Sequence, residues 1–246
     1  MIEKNITICP LCHSKSNRVV YNINFTTLQC NDCQLYFHKN YYTKEELFRF
    51  YSTNYGVSRG KRANIKNPER ILFNESKYEF LKERNCRLRF MPVIDSFTEK
   101  RNILEIGADA GGATRYMIKR GHNVEAVELF KDYADKLTKE GIKVYNDLFE
   151  NINFNKKYDL IVALEVIEHF SDPLKCINKI YNLLNTDGYF IFETPVAKDG
   201  LVDSASYSIR PSHYCVFNST SLSILLKDFK NLPKFNEGNE VYKIKK

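Results

Sequence analysis

Four cysteines near the start of the chain stand in two C-x-x-C pairs, Cys9–Cys12 and Cys30–Cys33, with residues 13–29 between them. That spacing suits a four-thiolate zinc site, in which two turns each present two sulfurs and together close a tetrahedron. Redox dithiols are the alternative, and two pairs at this separation favour metal. His13 directly follows Cys12 and reads as an exposed neighbour rather than a ligand. Much later, "EVIEHF" gathers Glu165, Glu168 and His169. In one helical turn these share a side, as i, i+3 and i+4. His213, in "RPSHYCVF", is a candidate to converge on them. Such a set suits a general base oriented by carboxylates, a divalent metal that activates a hydroxyl, or simply the construction of a strand end. Between these lies "LEIGADAGG", Leu104–Gly112, a glycine loop between a strand-like run and a helix-like run. Its glycines at 107, 111 and 112 do not fit the G-x-G-x-x-G dinucleotide pattern. Asp109 occupies the middle of the loop; Asp tolerates left-handed backbone, and its carboxylate is a candidate cap for the helix near Gly112.

The elements that must position these groups follow from periodicity. Residues 1–42 hold two strand-like runs, "RVVYNINF" and "LQCNDCQLYF", around the cysteines. So short a module buries little core, so a bound ion would supply much of its folding energy. Residues 43–100 read as a helical linker or lid. "TKEELFRFYS" has a capping box in Thr43 and Glu46, and "PERILFNESKYEFLKERNCRLRFM" carries apolar residues at helical spacing. Residues 101–246 alternate strand and helix. "NILEIG", "NVEAVEL", "IKVYND", "YDLIVALE" and "GYFIFETP" read as strands. Gly121 ends the first helix, and His122 in the following turn reads as a surface residue. "DPLKCINKIYNLLN" has Asp172 as N-cap, Pro173 in its first turn and an apolar face of Leu174, Ile177, Tyr181 and Leu184. "STSLSILLKDF" is a further helix, and "LPKF" and "EVYKIKK" form a closing antiparallel hairpin. Alternating βα units imply an α/β protein with a doubly wound, mostly parallel sheet.

Composition narrows the class. The 246 residues are 43% hydrophobic and 27% charged, ordinary for a globular chain. No apolar run approaches the roughly 20 residues that cross a bilayer, and "MIEKNITICP" lacks a secretory apolar stretch, so the chain reads as cytoplasmic with no membrane partner. The net charge of +7 is spread without a concentrated basic tract, which favours a lysine-biased proteome over an RNA binder. Cys86, Cys176 and Cys215 are scattered and read as packing residues.

The order of motifs resembles the class I S-adenosylmethionine-dependent methyltransferases. Glu105, Gly107 and Gly111 match their first motif, with Asp109 in place of its middle glycine. Glu128 ends the second strand, and Asp147 ends the third. "YDLIVALEVIEHFSDP" resembles the fourth motif of the small-molecule branch, which includes the ubiquinone-pathway O-methyltransferases. "LLNTDGYFIFETP" resembles the fifth-strand motif, with Asn185 and Asp187 replacing its proline–glycine elements. The resemblance implies a Rossmann-like, seven-stranded sheet behind a small zinc ribbon. It also implies S-adenosylmethionine bound by Glu105, Gly107, Ala108, Asp109, Gly111, Glu128, Leu129, Asp147 and Leu164. Glu128 would accept the ribose hydroxyls, and Asp147 would lie near the adenine. The "ExxEH" turn with a later histidine resembles the metal-dependent small-RNA 2′-O-methyltransferases.

An N-terminal zinc ribbon ahead of such a domain resembles enzymes of bacterial sugar and surface-polysaccharide pathways, including nucleotide-sugar C-methyltransferases. The expectation is O-methylation of a sugar, nucleotide-sugar or other small polar metabolite. An RNA methyltransferase acting on an rRNA base or a 2′-hydroxyl is the alternative. A third reading is a non-catalytic adaptor built on a methyltransferase fold. The acceptor atom and the oligomeric state are left open.

Overall fold

The computed structural model describes residues 6–22, 26–40, 46, 90–198, 212–236 and 238–246. Apart from Glu46, which is helical, and Phe90 and Met91, the two helices expected within 43–100 lie outside the described residues, as does Cys86, and a short helix spans Met91–Asp95 (α1). The ribbon strands are β1 (Asn17–Asn22), β2 (Thr26–Cys30) and β3 (Tyr36–His38). Then come β4 (Asn102–Ile106), α2 (Gly112–Lys119), β5 (Asn123–Val127), α3 (Lys131–Lys139) and β6 (Lys143–Tyr145). They are followed by β7 (Tyr158–Leu164), α4 (Pro173–Leu183), β8 (Leu184–Ala197), β9 (Cys215–Asn218), α5 (Ser219–Leu225) and β10 (Gly238–Lys245). The expected alternation is present, and the strands after the ribbon are parallel apart from β10.

The chain divides into two compact units, residues 44–154 and residues 1–43 with 155–246. In the first unit β4 lies parallel to β5 from Asn102↔Asn123 to Ile106↔Val127, and β5 lies parallel to β6. Ala108, Ala126, Leu137 and Ile142 make one core cluster there, to which α3 supplies Leu137, while α2 buries Ala113, Thr114 and Met117. Gly121 ends α2 at φ 89°, a conformation cheap only without a Cβ. His122 departs from expectation: it is buried, at 5% exposure, and its Nδ1 accepts from the Arg101 N–H at 3.3 Å. Burial, with the Arg101 charge adding, lowers its pKa.

In the second unit the strand order is β1-β2-β3-β9-β8-β7, with β10 antiparallel to β8 from Lys245↔Tyr189 to Gly238↔Val196. The final strand therefore closes on β8. It also meets the segment before it, through the isolated bridge Lys230↔Lys245, the Tyr242 ring against Phe235 (centroids 5.1 Å apart) and the Asn236 N–H, which donates to the Tyr242 hydroxyl at 3.1 Å. The ribbon is continuous with this sheet, because β3 pairs with β9 (Tyr36↔Val216, Phe37↔Cys215). Helix α4 starts as its sequence requires. The Asp172 carboxylate accepts from the Lys175 N–H at 3.0 Å, and Pro173 takes the first turn. Its buried face is Pro173, Cys176, Ile177 and Ile180, however, and Leu174 and Tyr181 sit at its margin. The stripe i, i+3, i+4, i+7 beginning at 173 wins, because it puts the small Cys176 and the branched Ile180 against the sheet.

Candidate functional site

In the first unit, β4 delivers the chain into a loop with three left-handed residues: Gly107 (φ 75°), Asp109 (φ 54°) and Gly111 (φ 86°). The loop is held by backbone: Gly107 and Ala108 N–H donate to the Val127 carbonyl at 2.8 and 3.1 Å, and Gly111 N–H to Ala108 at 2.9 Å. Asp109 accepts left-handed geometry where its position demands it. That conformation aims its N–H at Glu128 Oε2, 2.5 Å away. Glu128 Oε1 accepts from the Phe130 N–H at 2.7 Å. Two backbone amides thus fix the orientation of the Glu128 carboxylate. Helix α2 has Gly111 as N-cap and no side-chain cap, so the Asp109 carboxylate does not serve as one.

Space explains Gly111. A Cβ there would stand 2.3 Å from Leu137 Cδ2, whereas one on Gly112 would meet nothing within 4 Å. Gly111 is thus required and Gly112 is not. The buried Glu105 carboxylate accepts from the Thr114 hydroxyl, which ties β4 to α2. Asp147 Oδ1 accepts from the Leu148 N–H at 2.7 Å and from Asn151 at 3.1 Å, shaping the turn after β6. Leu129 is half-buried beside Glu128. Asn146 is a residue that sequence reasoning missed: its amide donates to the Glu128 and Leu129 carbonyls at 2.7 and 3.0 Å. The signal was only an Asx residue just past a strand, too common to single out.

In the second unit, β7 ends at the half-buried Leu164 and passes through Glu165 at φ 57° into a 3₁₀ turn, Ile167–His169. The chain does not make an α-turn here, so the expected common side does not form. Glu165 is exposed, and Glu168, His169 and His213 alone come together, with ligand atoms within 4.8 Å of one another. Glu168 is 1% exposed; its Oε2 accepts from the Thr194 hydroxyl at 2.9 Å, and its Oε1 is buried with no hydrogen-bond partner. Burial, with the Glu165 charge adding, holds this carboxyl well above the usual range. His169 Nδ1 lies 2.6 Å from the Ser212 carbonyl, an obligate acceptor, so Nδ1 carries the proton and Nε2 the lone pair of the neutral ring. His213 meets that ring edge-on, with centroids 4.8 Å apart.

The four cysteine sulfurs converge in the same way, all within 4.8 Å. Cys9–Cys33 and Cys12–Cys30 are each 3.5 Å apart, close to the edge of about 3.8 Å for a tetrahedron with 2.3 Å metal–sulfur bonds. Both pairs build the same turn. His13 (φ 59°) and Gln34 (φ 62°) are left-handed, and their N–H groups donate back to the Cys9 and Cys30 carbonyls. His13 is exposed and outside the cluster. Hydrogen bonding from Cys33 lowers the Cys9 thiol to about 5, burial pushes Cys12 up to about 11, and the bond to Cys9 raises Cys33. Four thiol sulfurs at these distances are a donor set that fits a soft divalent cation.

Residues 68–230 match a family model described as a methyltransferase domain. The chain belongs to this family. Within this methyltransferase family it is 27% identical over 126 residues to the sarcosine/dimethylglycine N-methyltransferase of Aphanothece halophytica, covering 45% of this chain and 44% of that protein. It is 27% identical over 106 residues to the ubiquinone biosynthesis O-methyltransferase of Actinobacillus pleuropneumoniae, covering 38% and 45%. The chain thus spans about half the length of the curated relatives it matches. Its fold is that of the Burkholderia thailandensis 1,6-didemethyltoxoflavin-N1-methyltransferase, solved with S-adenosylhomocysteine (TM-score 0.58, 17% identity, 88% of this chain and 97% of that one). The PH0226 protein of Pyrococcus horikoshii is also similar in fold (TM-score 0.53, 14% identity, 66% and 90% covered). No helix among the described residues is long and apolar enough to cross a membrane.

Proposed function

We propose that this protein transfers the methyl group of S-adenosylmethionine to a hydroxyl of a sugar, nucleotide-sugar or other small polar metabolite. The observation that carries the proposal is the Glu168–His169–His213 cluster with the His169 tautomer fixed by Ser212. Bound S-adenosylmethionine would supply a methyl carbon already activated on a sulfonium. The chain must therefore hold the cofactor, orient the acceptor and take its proton. Glu128, braced by the Asp109 and Phe130 amides, is the residue for the ribose hydroxyls, and Ala108, Asp109 and Leu129 line its surroundings. Gly107 and Gly111 give the loop its path, Glu105 anchors it through Thr114, and Asp147 and Leu164 complete the set. His169 takes the acceptor proton at Nε2.

A second reading has its own support in the buried, partnerless Glu168 Oε1 beside two imidazoles. Two histidines and one carboxylate suit a divalent metal, which would keep Glu168 ionised and activate the acceptor hydroxyl. Zinc at Cys9, Cys12, Cys30 and Cys33 completes the proposed cofactors. The surface-polysaccharide assignment rests on the ribbon preceding a methyltransferase domain. The curated relatives named above act elsewhere, and one methylates nitrogen, so the acceptor comes from experiment. Calorimetric titration with S-adenosylhomocysteine, with Glu128→Ala as control, tests the cofactor half: micromolar binding weakened by the substitution is expected. Transfer of labelled methyl groups to a panel of sugars and nucleotide-sugars, with and without a chelator, tests the rest. Absence of binding by folded protein would favour the adaptor. RNA binding that falls steeply with salt would favour the RNA enzyme.

A further inference from the structure

We propose that the four-cysteine knot is a positioning element of the acceptor cluster, and that it holds His213 and the Ser212 carbonyl in place through β3 and β9. The proposal rests on reading the four cysteines as a metal site. The second cysteine turn runs directly into β3. The Gln34 carbonyl in that turn accepts from the Asn218 side chain at 2.9 Å, a bond across 184 residues of sequence. Two residues later β3 pairs with β9, and the His38 N–H donates to the Tyr214 carbonyl at 3.0 Å. Tyr36 of β3, Val216 of β9 and Ala197 of β8 form one buried cluster, with Val20 of β1 packed against it.

The segment so gripped is short. At its start Ser212 fixes the His169 tautomer and His213 meets the His169 ring. On its other side β9 has, among the described residues, two register pairs with β8, Val196↔Phe217 and Ala197↔Asn218. The ribbon thus supplies as many strand pairs to residues 212–218 as β8 does, together with the two bonds at Tyr214 and Asn218. A ribbon this small depends on its ion for order. Loss of the ion would therefore loosen the ribbon side of the support for residues 212–218 and leave β4–β6 untouched.

Hydrogen exchange on the full chain tests this, comparing metal-loaded wild type, chelated wild type and Cys12→Ser, with native mass spectrometry reporting bound metal. The expected result is loss of one metal, exchange across 212–218 faster by about tenfold or more, and unchanged exchange across 102–127. Affinity for S-adenosylhomocysteine should hold while turnover falls, a split that general destabilisation would not give. If residues 6–38 lose protection on chelation but 212–218 do not, the coupling is overturned while the metal site stands. If the wild type carries no metal on its cysteines, the metal reading fails and the proposal fails with it. If Cys12→Ser also exposes 102–127, it has unfolded, and chelated wild type decides by the same criteria.

Discussion

Residues 104–130 hold their polar groups with partners close by in sequence, mostly backbone N–H groups, whereas residues 164–169 and 212–218 hold theirs with partners brought from far apart. In the first region, peptide N–H groups of Gly107, Ala108 and Asp109 fix the loop against Val127 and Glu128, all within about two dozen residues. In the second, Glu168 depends on Thr194, and His169 on a carbonyl 43 residues away. A backbone device survives many side-chain changes, which is why Asp109 can replace a glycine as long as it keeps φ positive. A device built from a few side chains and distant partners fails with any single member. Perturbing the second region should therefore damage chemistry alone, and perturbing the first should damage cofactor binding.

The largest expected effect is at His169. His169→Ala should lower turnover by about 10²–10⁴-fold, the usual worth of a positioned acid or base, and leave S-adenosylhomocysteine affinity unmoved in calorimetry. Equal loss of both would mean that the two regions do not divide the work. Next is Glu128→Ala. It removes the carboxylate that braces the Asp109 and Phe130 amides and is proposed to accept the ribose hydroxyls. Hydrogen bonds to a charged group are worth about 1.5–3 kcal/mol each, so affinity should fall by about tenfold or more. A Glu128→Ala protein that binds as tightly as wild type would remove Glu128 from the cofactor site.

The glycines separate shape from chemistry inside the first region. Gly111→Ala forces a left-handed alanine, with its Cβ driven onto Leu137, and should cost about 1–3 kcal/mol in denaturant unfolding. Gly112→Ala has open space and helical backbone, so it should be neutral or stabilising by up to about 1 kcal/mol. Equal costs at both positions would show that the loop is not sterically set.

The same contrast explains what could be read before the structure. The strands, the glycine loop and Glu128 were legible because each depends on local periodicity or on a motif with fixed spacing. The cysteine knot was legible for the same reason. The Asp172–Pro173 start of α4 was legible too, but its buried face was not. Leu174 and Tyr181 are as apolar as Cys176 and Ile180, and only the sheet decides which stripe turns inward. His122 looked like a surface turn residue, yet it is buried, with its Nδ1 accepting from the Arg101 N–H. Glu165 looked like a fellow member of the Glu168 and His169 cluster, yet at its left-handed backbone it is exposed and acts on Glu168 through its charge. Nor does spacing reveal that β3 of the ribbon pairs with β9, since such long-range pairing leaves no local mark. Sequence shows what a segment prefers; packing between distant segments decides the rest.

The smallest expected effect probes the rim of the first region. Arg115 reaches from α2 to the Ala110 carbonyl (2.9 Å) and to both oxygens of Glu140 (2.7 and 2.9 Å), so one guanidinium links the loop to the end of α3. The Arg115 hydrogen bonds hold the Glu140 carboxyl below the usual range. A folded-state pKa below the unfolded value means that the pair stabilises above the unfolded pKa and loses that contribution as pH falls through the folded one. About a third of each side chain is exposed, so solvent screening limits the contribution to about 0–1 kcal/mol. Glu140→Gln should therefore lower the melting temperature slightly at neutral pH, and the gap from wild type should close in acid, below the folded pKa. A gap that widens in acid would reverse the assigned sign. A neutral-pH loss well beyond 1 kcal/mol would show that Arg115, through Ala110, helps set the loop, and side chains would then share the work assigned here to backbone.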